Sequence, residues 1–278
     1  MKAKQLMSVL CALALALTLS AAQAQETPQD WATPCFSGEA DYTYTDDARS
    51  IAIQRIVWDE STGYVADVQL RRDGTGFHAA AAQNGFEALS VMAQREGAVL
   101  AVNADDYGTH KYGVIIRDGQ TLRIHDTTRH TLAVFPDGSV QTISDPTSMN
   151  PSALAKELTD AGVMHTFSFG PVLVENGEAA AFPRSFDVIS TKSSRREPRT
   201  AIGVIAPLHY VVVVLDGRQP GYSNGVSLQS LQQLFMQLGA QTAINLDGGG
   251  SAELWFQGEI LNQPAGGHER KLTDCIWF

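Results

Sequence analysis

Cysteine is scarce in this sequence, three in 278 residues, and the motifs that announce the commonest catalytic and metal chemistries are missing. No Cys-x-x-Cys, His-Glu-x-x-His or EF-hand spacing occurs, so spacing alone declares no metal site. No Gly-x-Ser-x-Gly elbow, P-loop or dinucleotide fingerprint occurs either. Ser168 in "SFGPV" therefore reads as a strand residue, and a serine hydrolase is disfavoured. Positive charge is short as well: 20 Lys and Arg face 30 Asp and Glu, and no basic run exceeds Arg195-Arg196. Nucleic acid and anionic membrane are poor partners for such a chain.

Long apolar runs are missing too, apart from "LMSVLCALALALTL" near the start, which is shorter than the ~20 residues a membrane-spanning helix needs. Together with Lys2, Lys4 and the small residues Ala22-Gln23-Ala24 it reads as a targeting signal over 1–24. A polar lead-in segment, 25–49, and one catalytic domain, 50–278, follow. This implies an exported protein, periplasmic or secreted, with no membrane anchor; the oligomeric state is not legible. Beyond the signal two cysteines remain, Cys35 and Cys275, and an isolated pair in an oxidising compartment predicts one disulfide.

What is present is a series of short strands broken by turn residues. "SIAIQRIVWD" and "GYVADVQLRR" alternate around "ESTG" and predict a hairpin; "GVIIRDGQTLRI" and "TLAVFPDGSVQTI" carry Asp-Gly turns. Helices are predicted in "NGFEALSVMAQREG", in "NPSALAKELTDAG" with Asn150 as cap, and in "SLQSLQQLFMQLG" with Ser227 as cap and Gly239 as stop. Strands outnumber helices without alternating with them. The expected fold is therefore α+β: a central mixed sheet with helices packed on it and short β-hairpins.

Several strands end in Asp or Asn followed closely by Gly. "VLAVNADDYG" supplies Asn103, Asp105 and Asp106; "VVVVLDGR" supplies Asp216 and Arg218; "TAINLDGGGS" supplies Asn245, Asp247 and Ser251. Polar groups at the ends of buried strands can converge on one cleft. Gly248, Gly249 and Gly250 would let bare backbone N–H groups approach an anion. Asp247 beside them could serve as base, nucleophile or ligand, and the same carboxylates could hold Ca²⁺ or Mg²⁺. Arg199 in "REPRTAIG" suits a phosphate, and His110 could line the cleft.

The blocks "AVNADDYG", "GVIIRDG", "FSFGPVLVENGE", "PRTAIGV", "VVVVLDGRQPGYSNGVSLQSL", "QTAINLDGGGSAELWFQGEILNQP" and "ERKLTDCIWF", taken in order, resemble the phosphodiester glycosidase family. The resemblance spans about residues 50–278. It implies hydrolysis of a sugar-1-phosphodiester, with a carbohydrate phosphodiester as substrate, in glycan or exopolysaccharide processing. The family's functional positions fall on Asn103, Asp105, Gly170, Arg199, Thr200, Asp216, Gly217, Arg218, Asn245, Asp247, Gly248, Gly249, Gly250 and Ser251. Asp106 replaces a common aromatic, and Ala252-Glu253 replaces a frequent Ser-Thr. The implied division of labour gives catalysis to Asp105, Asp216 and Asp247. Arg199, Arg218 and the glycine backbone would hold the phosphate. A non-catalytic glycan-binding or envelope polysaccharide-assembly protein, or a phosphodiesterase, is the alternative.

Overall fold

A computed structural model describes residues 30–71, 76–126, 128–144, 148–182 and 194–278. Residues 1–24, expected to be a targeting signal, and the first part of the expected lead-in lie outside the described residues. Residues 32–278 form one compact unit.

The largest sheet has eight strands, in the order Tyr42–Thr45, Arg49–Trp58, Ser61–Leu70, His209–Leu215, Arg199–Ala206, Thr242–Asn245, Val172–Glu175, Glu178–Ala179. The lead-in segment thus contributes its edge strand. Ser61–Leu70 is buried at all ten positions because both faces of the sheet are covered. A five-stranded sheet, in the order Glu259–Ile260, Leu254–Phe256, Leu100–Asn103, Asp274–Trp277, His78–Ala81, packs across from it. Pairing along both sheets is antiparallel. The architecture is the α+β arrangement expected, with short helices on the outside.

Alternation along the strands sorts the side chains into layers. Ile53, Ala66, Val212 and Ile244 of the large sheet meet Val102, Leu254, Ile276 and Phe278 in the central core. On the outer face of the large sheet, Val211, Val213 and Ala201 receive Leu231, Leu234 and Phe235 of the helix Leu228–Gln237. On the outer face of the five-stranded sheet, Ala101, Trp255 and Cys275 pack under Leu89, Met92 and Ala93 of the helix Leu89–Glu96. A third helix, Pro151–Asp160, sets Leu154, Ala155 and Leu158 against Val114, Ile116 and Ala133.

The helix signals act as local chemistry dictates. Asn150 accepts from Ser152 and Ala153 N–H, and Ser227 accepts from Ser230 N–H, each cap contributing about 1 kcal/mol. The first hairpin turns earlier than predicted. Asp59 and Glu60, with φ of 45° and 58°, form the two-residue bend, and Gly63 lies inside the strand. A Cβ at Gly63 would stand 2.2 Å from the Val214 carbonyl oxygen, so this glycine permits close strand approach and does not make a turn.

The predicted disulfide does not form. Cys35 and Cys275 are both free thiols, and no close Sγ–Sγ pair exists among the described residues. The layering explains why. Cys35 packs against the cluster on the outer face of the large sheet, whereas Cys275 sits in the cluster outside the five-stranded one. Two stacked sheets, themselves about 10 Å apart, lie between them, and a disulfide needs Cα atoms within about 7 Å.

Candidate active site

The chain crosses from the large sheet to the five-stranded one through Leu246 to Glu253. Leu246 N–H donates to the Thr200 carbonyl (2.9 Å) and Asp247 N–H to the Ala104 carbonyl (3.0 Å), so the crossing is anchored to both sheets. One 3₁₀ turn, Gly249–Ser251, follows. A Cβ on Gly248 would lie 2.7 Å from the Pro198 carbonyl oxygen. Gly249 takes φ +63°, and a Cβ there would lie 2.9 Å from Arg218 Nη2. Gly248 is required by the Pro198 backbone pressing against the bend, and Gly249 by its left-handed backbone, the half-exposed Arg218 guanidinium beside it being able to move aside. The Gly249 N–H is already donated to Pro198 (2.9 Å), so the bend is less bare than the sequence suggests.

Asn103 holds the crossing together. Its Nδ2 donates to the Asp247 carbonyl (2.6 Å), while its Oδ1 accepts from Thr200 Oγ1 (2.6 Å) and Glu253 N–H (3.2 Å). Asn245 Nδ2 donates to the Gly170 carbonyl (2.9 Å), and Gly170 N–H returns a bond to the Asn245 carbonyl (3.0 Å). Gly170 has φ +77°, and a Cβ there would meet His130 Cβ at 3.0 Å. Asn245 Oδ1 is buried without a hydrogen-bond partner among the described residues. Asn103, Thr200, Asn245, Asp247, the glycine bend and Ser251 are therefore brought together, as the strand-end pattern implies.

The three candidate carboxylates meet different fates. Asp105 is fully buried, salt-bridged to Arg117 Nη2 (2.9 Å) and accepting from Ser168 N–H (2.7 Å). The same Nη2 reaches Asp274 (2.9 Å), which also accepts from Asp106 N–H. Despite its burial, the neighbouring Arg117 holds the Asp105 carboxyl below its ordinary range, whereas burial and the Asp105 charge push that of Asp274 well up. One guanidinium thus serves two carboxyls whose proton affinities are driven apart. Asp216 is also consumed: it accepts from Asn262 Nδ2 (2.8 Å), Tyr222 Oη (2.9 Å) and Gln263 N–H (3.1 Å). Asn262 in turn grips the Ala252 carbonyl and Leu254 N–H, so Asp216 braces the exit of the crossing.

Among the described residues no cation pairs with Asp247, and Arg270 acts on it only at longer range. Burial raises the Asp247 pKa to about 6, against hydrogen bonding from Ser251 and with help from the Asp106 charge. Glu253 is buried deeper still. One carboxyl oxygen accepts from Arg270 N–H (2.5 Å), the other has no partner among the described residues, and burial raises the pKa to about 8. It therefore holds its proton far more tightly than an ordinary glutamic acid.

The arginines divide likewise. Arg199 is buried, and its Nε and Nη2 donate to the Val226 (3.1 Å) and Arg195 (3.0 Å) carbonyls; burial lowers its pKa to about 10. Arg218 is half exposed and paired with Glu197 (2.5 Å). Gly217 lies against the Pro198 and Gly225 backbone, leaving no room for a side chain. His110 Nε2 donates to the Asp105 carbonyl (3.0 Å), and burial, with Arg129 adding to it, keeps the ring neutral. Among the described residues no group of three or more His, Cys, Asp or Glu is arranged to hold a metal ion.

Sequence reasoning missed Arg117, Asp274 and Asn262 as partners. Asp274 did leave a signal, a carboxylate inside the apolar "LTDCIWF", which in a buried strand demands a counter-charge.

A family profile described as phosphodiester glycosidase (NAGPA) matches residues 96–278. The chain belongs to the phosphodiester glycosidase family. Relatives of this phosphodiester glycosidase include the SPbeta prophage-derived uncharacterized protein YomE of Bacillus subtilis strain 168, 28% identical over 197 residues, or 68% of this chain and 29% of that protein. The chain thus spans under a third of that relative's length. Among solved structures, the catalytic domain of zebrafish N-acetylglucosamine-1-phosphodiester alpha-N-acetylglucosaminidase, auto-inhibited by its pro-peptide, superposes with a TM-score of 0.63 at 17% identity, covering 87% of this chain and 86% of that one. A hypothetical protein from Synechocystis gives 0.57 at 16%, covering 83% and 62%. At such identities the likeness is one of fold. Among the described residues no helix is long and apolar enough to cross a membrane.

Proposed function

We propose that this phosphodiester glycosidase hydrolyses the bond between a sugar anomeric carbon and a bridging phosphate, with Asp247 at the reacting centre. The observation that carries the reading is the contrast among the strand-end aspartates. Asp105 is neutralised by Arg117 and Asp216 accepts from three donors, whereas Asp247 pairs with no cation among the described residues and has a pKa near 6. At neutral pH it is an ionised carboxylate in a desolvated setting, suited to activate water or to attack the anomeric carbon. The departing phosphate monoester has a second pKa near ~6 and needs little protonation, so one well-placed carboxylate suffices where ordinary glycosidases need two. Asn245 Oδ1, buried without a partner among the described residues, is free to accept from a sugar hydroxyl.

Export belongs to the same proposal, and the basic start and apolar run of residues 1–24 support it. A screen of α- and β-linked sugar-1-phosphodiesters, run with and without chelator, tests the reaction. Free sugar plus phosphomonoester is the expected product pair; sugar phosphate plus alcohol would make the protein a phosphodiesterase, and no product would make it a binding module. Asp247→Asn should lower turnover at least about 10³-fold while the melting temperature does not fall. A fully active Asp247→Asn protein would remove this residue from the chemistry.

A further inference from the structure

Arg129, so far only a charge beside His110, has no role in the reading above. It sits just before the strand Thr131–Val134, and its guanidinium carbon stands 4.8 Å from the centre of the Phe169 ring and 5.5 Å from that of Tyr112. Its Nη1 is buried and has no hydrogen-bond partner among the described residues. None of the salt bridges among those residues includes it. The rings hold the planar group in place, and aromatic contact favours the cation without using its in-plane donors.

Its surroundings place it at the candidate site. Phe169 precedes Gly170, which is bonded in both directions to Asn245. Arg129 lowers the pKa of His110, and the charges of Asp105, Asp247 and Asp106 act on Arg129 in turn. Asp105 is already neutralised by Arg117, and neither Asp247 nor Asp106 is bonded to Arg129. An unpaired buried donor on a guanidinium is costly to keep unless a ligand completes it. Arg117 and Arg123 also keep a buried Nε without a partner among the described residues, but their terminal nitrogens are spent on Asp105, Asp274 and backbone carbonyls. Arg199 spends donors on backbone carbonyls and Arg218 pairs with Glu197, whereas the open donor of Arg129 is a terminal Nη1.

We propose that Arg129, clamped between Tyr112 and Phe169, is a specificity-determining residue that binds the non-bridging oxygens of the substrate's phosphodiester. A phosphodiester carries one negative charge spread over two such oxygens, which matches the guanidinium fork. This inference rests on the phosphodiester reading of the site above, and it assigns the charge recognition to a residue that reading does not use.

The test compares wild type, Arg129→Gln, Arg129→Lys and, as a control of equal charge change, Arg196→Gln on the surface. In thermal melts, dimethyl phosphate should raise the melting temperature of wild type and Arg196→Gln, while trimethyl phosphate, the neutral counterpart, should not. Arg129→Gln should lose the shift and Arg129→Lys should keep part of it. If dimethyl and trimethyl phosphate act alike on wild type, or if Arg129→Gln keeps the full shift, the proposal is overturned. On any sugar-1-phosphodiester that wild type hydrolyses, Arg129→Gln should lower kcat/KM about 10–100-fold, while the neutral aryl glycoside of the same sugar is affected less than threefold. Equal losses on both overturn the proposal but leave the phosphodiesterase-versus-glycosidase outcome intact. Should wild type hydrolyse no phosphodiester, the functional reading fails, and the melts still decide whether Arg129 binds the anion.

Discussion

At the scale of single residues, Asp105, Asp216 and Asp247 are one side chain in three environments. An arginine, a set of neutral donors and a mostly desolvated bend give them three different proton affinities. Because the Asp247 carboxyl titrates near pH 6, kcat/KM should rise with pH along an acid limb centred there. Burial is the main cause of that elevation and the Asp106 charge a further one, so Asp106→Asn should move the limb to lower pH. A limb that stays put in the pH–rate profile of Asp106→Asn would separate the two carboxylates. Stability follows the same sign. Between pH 3.8 and about 6 the folded protein holds a proton that the unfolded chain has released, so this group's contribution falls as pH rises across that window. Asp247→Asn is relieved of the loss, which is why its melting temperature should hold at pH 7. The sequence named all three aspartates from their place at strand ends. It could not rank them, because their partners stand on other segments: Arg117 and Ser168 lie 12 and 63 residues from Asp105, and Asn262 and Gln263 lie 46 and 47 residues from Asp216.

At the scale of elements, signals carried within a few residues were readable and signals carried across strands were not. The asparagine and serine caps act locally and sit where the sequence puts them. Gly63 read as a turn residue, whereas its role depends on a strand that arrives some 150 residues later. The Arg117 triad is the strongest case of cross-element dependence, tying the strand Val114–Arg117 to the segment after Leu100–Asn103 and to Asp274–Trp277. Arg117→Met would strand two carboxyls side by side and should cost roughly 3–5 kcal/mol at pH 7.5. At pH 5 the cost should be smaller, because a carboxylate left without the cation is more readily protonated there. Urea melts at the two pH values test this. Equal losses would mean that the arginine acts through packing on Phe167 and Tyr107, whose ring centres lie 4.6 and 5.1 Å from its guanidinium carbon.

At the scale of the whole molecule, the layering of helix, sheet, sheet and helix decides which residues can ever meet. Counting cysteines suggested a bridge between Cys35 and Cys275; the two sheets between them forbid it. A reducing agent should therefore leave the melting temperature unchanged, and thiol titration of the denatured protein should find every cysteine free. A drop in melting temperature on reduction would contradict the layer assignment. Composition and alternation were enough for the α+β class, but which strand neighbours which is set by long-range pairing that no local pattern encodes.

The strand Asp274–Trp277 is inserted between Leu100–Asn103 and His78–Ala81, although its contact with Asp106 bridges 168 positions of chain. A ribosome adding about 5–20 residues per second takes roughly 8–34 s over that stretch, so both older strands exist well before the one that joins them. During that interval their facing edges are open to foreign strands, and Asp105 and Arg117 face each other without their third partner. The Asp105–Arg117–Asp274 cluster thus closes only once all three segments are present, so a factor that shields half-made sheets would raise yield more than one that speeds any single helix.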